Sequence, residues 1–334
     1  MHNDILSKIG GTPLVKLTRV FKDRDFQLYA KLEGFNPGGS IKDRAAINII
    51  RNAMENGEIG SETTIIESSS GNMGIGLAQV CACYGLRFIC VIDPKTTRSN
   101  VDILKAYGAE IDYVSEPDPI SGEFLQARID RVQELLASIP NSYWPDQYSN
   151  IYNLRAHYLT MSEIVNELGE APDYLFSATS TCGTARGCAE YARANGLKTK
   201  VVAVDALGSV IFGGKYAKRL IPGHGASVRP RLHQPELIDR FVHVSDLDCI
   251  VGCRRLVRKE GILAGGSSGG VLSAIDHFKE RIEPGATCVA IFADRGERYL
   301  DTVYSDSWVS THFDAMGHLW QDQGEEQACV TATL

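Results

Sequence analysis

Short β-branched runs alternate with segments of helical periodicity along most of this 334-residue chain. "TTIIE" (63–67), "RFICVID" (87–93), "EIDYVS" (110–115), "YLFSAT" (174–179), "KVVAVDA" (200–206) and "TCVAIFAD" (287–294) read as strands. The spans 71–85, 98–107, 122–139, 152–169, 182–196 and 267–282 read as helices. In 122–139, Leu125, Ile129, Val132 and Leu136 recur every three or four positions, and Gly169 stops the helix before it. Such alternation builds βαβ units, in which parallel strands are buried on both faces by helices. The expected fold is therefore α/β and doubly wound. The turn-rich "PNSYWPDQYSN" (140–150) reads as a domain junction, and the polar tail after about Gly317 as loosely held.

Composition narrows the partners. A net charge of −7 argues against nucleic acid or an anionic membrane surface. No apolar run reaches the roughly 18 residues of a membrane span, and "MHNDILSKIGGTPLVKL" lacks the basic start and apolar run of a signal peptide. Nine cysteines, an odd number without a CxxC pair, read as reduced thiols of a cytoplasmic protein, with Cys81 and Cys83 as small buried hydrophobes; no metal site is expected.

The chemistry-bearing residues sit in three loops that open helices: "ESSSGNMG" (67–74), "ATSTCGTARG" (178–187) and "LAGGSSGG" (263–270). A helix N-terminus offers unpaired N–H donors and a favourable dipole, and small hydroxyls add donors without bulk. One such loop is ordinarily just a cap. Three in one α/β chain point to a ligand with several anionic groups at the strand carboxyl ends. Nucleotide motifs do not fit, since "GSVIFGGK" (208–215) misses the phosphate-loop spacing and "GGSSGG" lacks the dinucleotide fingerprint.

Lys42, in "EGFNPGGSIKDR" (33–44), follows a Pro-Gly-Gly turn at an apolar helix start. Burial and nearby cations free a lysine amine to attack a carbonyl. A cofactor with both an aldehyde and a phosphate, pyridoxal 5′-phosphate, suits that amine beside an anion site.

"NPGGSIKDR", "SSSGNMG", "GILAGGSSGG" and "GERYL" together resemble the cysteine synthase and cystathionine β-synthase family of fold-type II pyridoxal-phosphate enzymes, over nearly the whole chain. The resemblance implies two doubly wound domains of the tryptophan synthase β-like type. Residues 36–145 would form a smaller mobile domain, and 1–35 with 146–334 a larger one that binds the cofactor phosphate. It implies Lys42 as the internal-aldimine lysine and Cα base, and Asn72 at the cofactor's 3-hydroxyl. Ser180, Thr181, Cys182, Gly183 and Thr184 would cradle the phosphate, with Ser267 at the pyridine nitrogen. Ser69, Ser70, Gly71 and Met73 would hold the substrate carboxylate. Asp294, where simple cysteine synthases usually carry serine, is expected near the Ser267 edge of the ring. Two departures stand out: "STCGT" replaces the usual G-T-G-G-T, so the loop backbone is expected to differ, and Met73 replaces a common threonine.

"VVAVDALGSVIFGGK", "VQELLASI", "YWPDQYSN" and "DRGERYLDTVYSDSW" resemble a branch of that family, the N-(2-amino-2-carboxyethyl)-L-glutamate synthases of 2,3-diaminopropionate and siderophore formation. This implies a homodimer that joins O-phospho-L-serine to L-glutamate through an aminoacrylate, with release of phosphate. Arg128 and Tyr148 are the candidates for substrate contact, with Thr181 shared between cofactor and substrate. Lys215, Lys218 and Arg219 read as a solvated cluster, and His224 as structural. Two alternatives stay open: a cysteine synthase using O-acetylserine or O-phosphoserine with sulfide, and a non-catalytic cofactor- or partner-binding module.

Overall fold

The computed structural model describes residues 4–119, 122 and 124–313. The chain opens with an antiparallel pair, β1 (Leu14–Leu17) and β2 (Gln27–Leu32). It next builds a parallel four-stranded sheet from β3 (Thr64–Ser68), β4 (Arg87–Ile92), β5 (Glu110–Tyr113) and β6 (Ser142–Tyr143), in the order β5-β4-β3-β6. Finally β7 (Tyr174–Ala178), β8 (Lys200–Ala206), β9 (Arg240–Val244) and β10 (Thr287–Phe292) join the opening pair in a six-stranded sheet, β1-β2-β10-β7-β8-β9. Every pairing there is parallel except β1 with β2. The α/β class and the parallel winding agree with the sequence pattern.

Between β2 and β7 run α1 (Lys42–Glu55), α2 (Asn72–Tyr84), α3 (Arg98–Ala106), α4 (Phe124–Ser138) and α5 (Ile151–Leu168). After β7 come α6 (Gly183–Ala194), α7 (Asp246–Glu260), α8 (Gly266–Phe278) and α9 (Asp306–His312). The apolar faces fill separate cores. Ile65, Phe88, Ile75 and Leu77 pack with Ala46 and Ile49 of α1 in one. Phe176, Val202, Ala290 and Phe292 pack with Val271 and Ile275 of α8 in another, on one face of the larger sheet. Ile41 belongs to a third, on the opposite face of that sheet, with Leu175, Val289 and Ile291. Lys42 thus stands at a seam: the residue before it packs with the larger sheet, and the helix it starts packs with the smaller.

Some expectations change. The N-terminal strands escape periodicity because "LVKL" is only four residues long and partly buried. The 140–150 stretch contains β6, which pairs Ser142 and Tyr143 with Thr64 and Ile65. Cys81 is buried, but Cys83 is exposed, because two positions along a helix turn a side chain to the opposite face. The eight cysteines among the described residues are free thiols. Cys329 and the tail after Gly317 lie outside those residues. No helix among them is long and apolar enough to cross a membrane.

Candidate active site

The three Ser/Gly-rich loops do open helices: α2 follows β3, α6 follows β7, and α8 follows the loop after α7. They meet at a cavity of about 330 Å³ lined by Lys42, Ser69, Ser70, Gly71, Asn72, Met73, Arg128, Tyr148, Ser180, Ser267 and Asp294. An adjoining recess of about 30 Å³ is lined by Lys42, Ser180, Thr181, Cys182, Gly183, Thr184 and Ser267. All the site residues expected from sequence therefore come together, although the positions span both sheets.

Lys42 begins α1, and its chain is registered against the end of β10. Ile41 N–H donates to Ala293 O at 2.8 Å, and Ser40 forms an isolated bridge with Asp294. Burial lowers the basicity of the Lys42 amine, opposed in part by the Asp294 carboxylate. The next side chains brace this start. Asp43 Oδ2 accepts from Gly38 N–H at 2.5 Å, and Arg44 is clamped by Glu33 and Glu163, both at 2.7 Å. A lysine so placed offers an amine of lowered basicity inside a cavity, which a solvated helix start does not.

In the recess loop, Cys182 takes φ 67°, a left-handed conformation that glycine adopts without strain and other residues rarely take. The hydroxyl of Thr184 lies 3.3 Å from His157 Nε2, and His157 Nδ1 lies 3.3 Å from Thr160 Oγ1. Burial, with Lys42 and Arg44 nearby, holds His157 well below its usual basicity, so the ring is neutral.

On the opposite wall, Ser69 Oγ accepts from Gly74 N–H at 2.9 Å and ties the loop to α2. The Met73 side chain enters the core around Ile75 and Leu77. Asn72 Nδ2 donates to Asp294 Oδ2 at 2.7 Å, as does the Tyr299 hydroxyl at 2.5 Å, while Arg298 Nη1 donates to Asn72 Oδ1. Asp294 is thus directly bonded to Asn72 and Tyr299, and it lines the cavity together with Ser267. Arg298 and Tyr299 carry no sequence signal except their place in "GERYL", far along the chain.

Arg128 is not a surface helix residue. It is 8% exposed, its Nε lies 3.1 Å from Asp93 Oδ2, and its Nη1 has no hydrogen-bond partner among the described residues. Tyr148 is half-buried near it; burial raises the phenol's pKa and the charge of Arg128 opposes that. Lys215 and Lys218 are exposed as expected, but Arg219 lines the cavity. His224 also lines it, yet its ring is anchored to the core, with Nε2 3.2 Å from Val204 O and Nδ1 3.5 Å from Cys249 Sγ.

Beneath the Ser69 loop, Glu67 accepts from Ser68 N–H at 2.8 Å, Trp144 Nε1 at 3.1 Å and Gln147 N–H at 3.3 Å. Burial outweighs these bonds and pushes its carboxyl up to about 7, as it does Asp43. The folded protein then holds protons that the unfolded chain has lost above its ordinary carboxyl pKa of 4.5 for glutamate. Stability therefore falls as pH rises from about 5 to 7. The Glu67→Gln variant is expected to lessen that fall without abolishing it, because Asp43 titrates too; urea midpoints at several pH values provide the check.

A buried weakly basic amine, a recess of hydroxyls at a helix N-terminus and a hydroxyl at Ser267 form the donor set that an aldehyde-bearing pyridine phosphate requires. Residues 5–294 match the family model described as pyridoxal-phosphate dependent enzyme. The chain belongs to that family. Similar solved structures include a hydrogen sulfide-producing enzyme from Fusobacterium nucleatum, with 32% identity and TM-score 0.84, covering 90% of this chain and 100% of that one. An O-acetylserine dependent cystathionine beta-synthase from Helicobacter pylori has 34% identity and TM-score 0.83, covering 91% and 99%. An O-acetyl serine sulfhydrylase isoform from Entamoeba histolytica has 33% identity and TM-score 0.83, covering 91% and 92%. This member of the pyridoxal-phosphate dependent enzymes is thus an enzyme of the β-replacement class, with pyridoxal phosphate as its cofactor.

Proposed function

We propose that this enzyme joins O-phospho-L-serine and L-glutamate to give N-(2-amino-2-carboxyethyl)-L-glutamate and phosphate, for 2,3-diaminopropionate and siderophore formation. The observation that carries the reading is Arg128, a buried cation lining the cavity with an unsatisfied Nη1 among the described residues. A buried guanidinium left short of partners is costly unless an anion completes it. Arg219 and Lys95 line the same space. A phosphate leaving group and a dicarboxylate acceptor both call for such cations, whereas sulfide as acceptor does not.

Bound pyridoxal phosphate supplies an aldehyde that captures the substrate amine and a conjugated ring that accepts electron density from Cα. Ser180 to Thr184 would hold its phosphate, Ser267 its ring nitrogen and Asn72 its ring hydroxyl. Ser69, Ser70, Gly71 and Met73 would seat the substrate carboxylate. Lys42 Nζ takes the Cα proton, and phosphate departs from Cβ with the C–O bonding pair. The glutamate amine then forms the new C–N bond, and the proton it loses goes to the released phosphate. Lys42 returns the proton to Cα, so the two substrates leave as product and phosphate. Segment 36–145 would close over the substrates as a mobile unit. The reading includes a cytoplasmic homodimer.

Adding O-phospho-L-serine to the yellow protein, then glutamate or sulfide, tests the reaction by spectrum and product mass. A spectral change discharged by glutamate alone, with the C–N product formed, supports the reading. Discharge by sulfide alone makes the enzyme a cysteine synthase, and the absence of any cofactor band favours a non-catalytic module. For Arg128→Met, loss of one charged hydrogen bond raises substrate KM by on the order of tenfold or more. Cofactor affinity should stay near that of the parent protein; unchanged KM values for both substrates refute the role of Arg128.

A further inference from the structure

The side chain of Asn72 is held from both ends. Arg298 donates to its Oδ1, and Asp294 accepts from its Nδ2 at 2.7 Å. A guanidinium can only donate, so Arg298 faces Asn72 Oδ1 and leaves Nδ2 turned to Asp294. The Asn72 amide thus has one orientation. Its NH₂ group has two hydrogens, and Asp294 takes one. The other meets no further acceptor among the described residues, and Asn72 lines the cavity.

The supports are themselves fixed. Arg298 also donates to Gly38 O, within the turn that precedes Lys42. Asp294 is 4% exposed and receives the Tyr299 hydroxyl at 2.5 Å. Its backbone bridges to Ser40. The remaining carboxylate oxygen, Oδ1, is buried without a partner among the described residues. A carboxylate kept in so poorly satisfied a place has a task that a neutral hydroxyl would not perform. A hydroxyl both donates and accepts, so it would tolerate either orientation of the amide.

We propose that Asp294 and Arg298 are positioning residues, which lock the Asn72 amide so that its free N–H is presented to the anionic ring oxygen of bound pyridoxal phosphate. The inference rests on the proposed contact between Asn72 and that ring oxygen. An N–H donor stabilises the oxygen as phenolate, whereas a turned amide would set a carbonyl against it. The lock therefore governs the ionisation of the chromophore as well as its affinity.

The test compares the absorption spectra of the loaded variants, with cofactor titration of the apoproteins. Asn72→Ala should move intensity from the visible, phenolate-bearing band to the near-ultraviolet. Asp294→Asn and Arg298→Gln, whose amides can turn either way, should move it in the same direction. Each should weaken cofactor binding by on the order of tenfold, the worth of one charged hydrogen bond. Arg298→Lys, which still can only donate, should restore most of the visible band. If Asp294→Asn does not fold, Arg298→Gln against Arg298→Lys decides. A shifted Asn72→Ala spectrum with parent-like spectra for both lock variants overturns the inference alone. A parent-like spectrum for Asn72→Ala itself overturns the ring-oxygen contact, and the inference with it.

Discussion

Lys42→Ala should abolish the visible band of the holoenzyme and lower turnover by on the order of a thousandfold or more, because the attacking amine and the Cα base are lost together. The fold should survive. Lys42 is the first residue of α1, where alanine is favoured, and its amine is buried at a cost that removal relieves. Asp294 loses the nearby cation, so its carboxyl should bind a proton more readily still. Turnover, absorption and melting curves on one preparation check this. Activity within tenfold of the parent protein would remove Lys42 from the chemistry; a collapsed melting curve would make its role structural.

Gly269→Ala should produce the largest loss of stability of the substitutions considered. The backbones of α7 and α8 touch at one crossing. A Cβ at Gly269 would stand 2.0 Å from Cys249 O and 2.5 Å from Cys253 N, and one at Gly252 would stand 2.0 Å from Gly269 O. These neighbours are backbone atoms inside helices and cannot swing aside. Overpacking should cost about 3 kcal/mol. Separation of the helices also shifts Ser267, two residues earlier on α8, so cofactor affinity should fall too. Gly60→Ala is the control: its Cβ meets nothing within 4 Å, and stability should change by no more than about 1 kcal/mol. Denaturant unfolding of both variants decides, and equal midpoints would refute the tight crossing.

The sequence revealed the interior strands because they are buried on both faces and so read as unbroken apolar runs, as in "KVVAVDA" and "TCVAIF". Edge and short strands were harder. β9, "RFVHV", is half exposed, and β6 has only two residues. The site followed the same division. Lys42, Asn72 and the three loops announce themselves through local chemistry, with small residues just before a helix. Arg298, Tyr299 and Asp93 act through side chains that reach the site from elements distant in sequence, and no spacing rule records such a reach. Arg219 was hidden differently: it sits beside Lys218 in what looks like a solvated charge run, yet only Arg219 turns inward.

The seam at Lys42 bears on how such an enzyme can change over generations. Ile41 is rooted in the larger sheet, and the backbone of Ser40 is bridged to Asp294 just beyond β10. The amine and the Ser180–Thr184 loop are therefore referenced to one frame. Arg128 stands on α4, which packs on the smaller sheet. Substitutions on that helix can alter what enters the cavity while leaving the lysine and its cradle in register. The backbone anchor of Lys42 and the helix that carries Arg128 thus rest on different sheets, so substitutions on α4 can change what the cavity admits while Ile41 stays seated against β10.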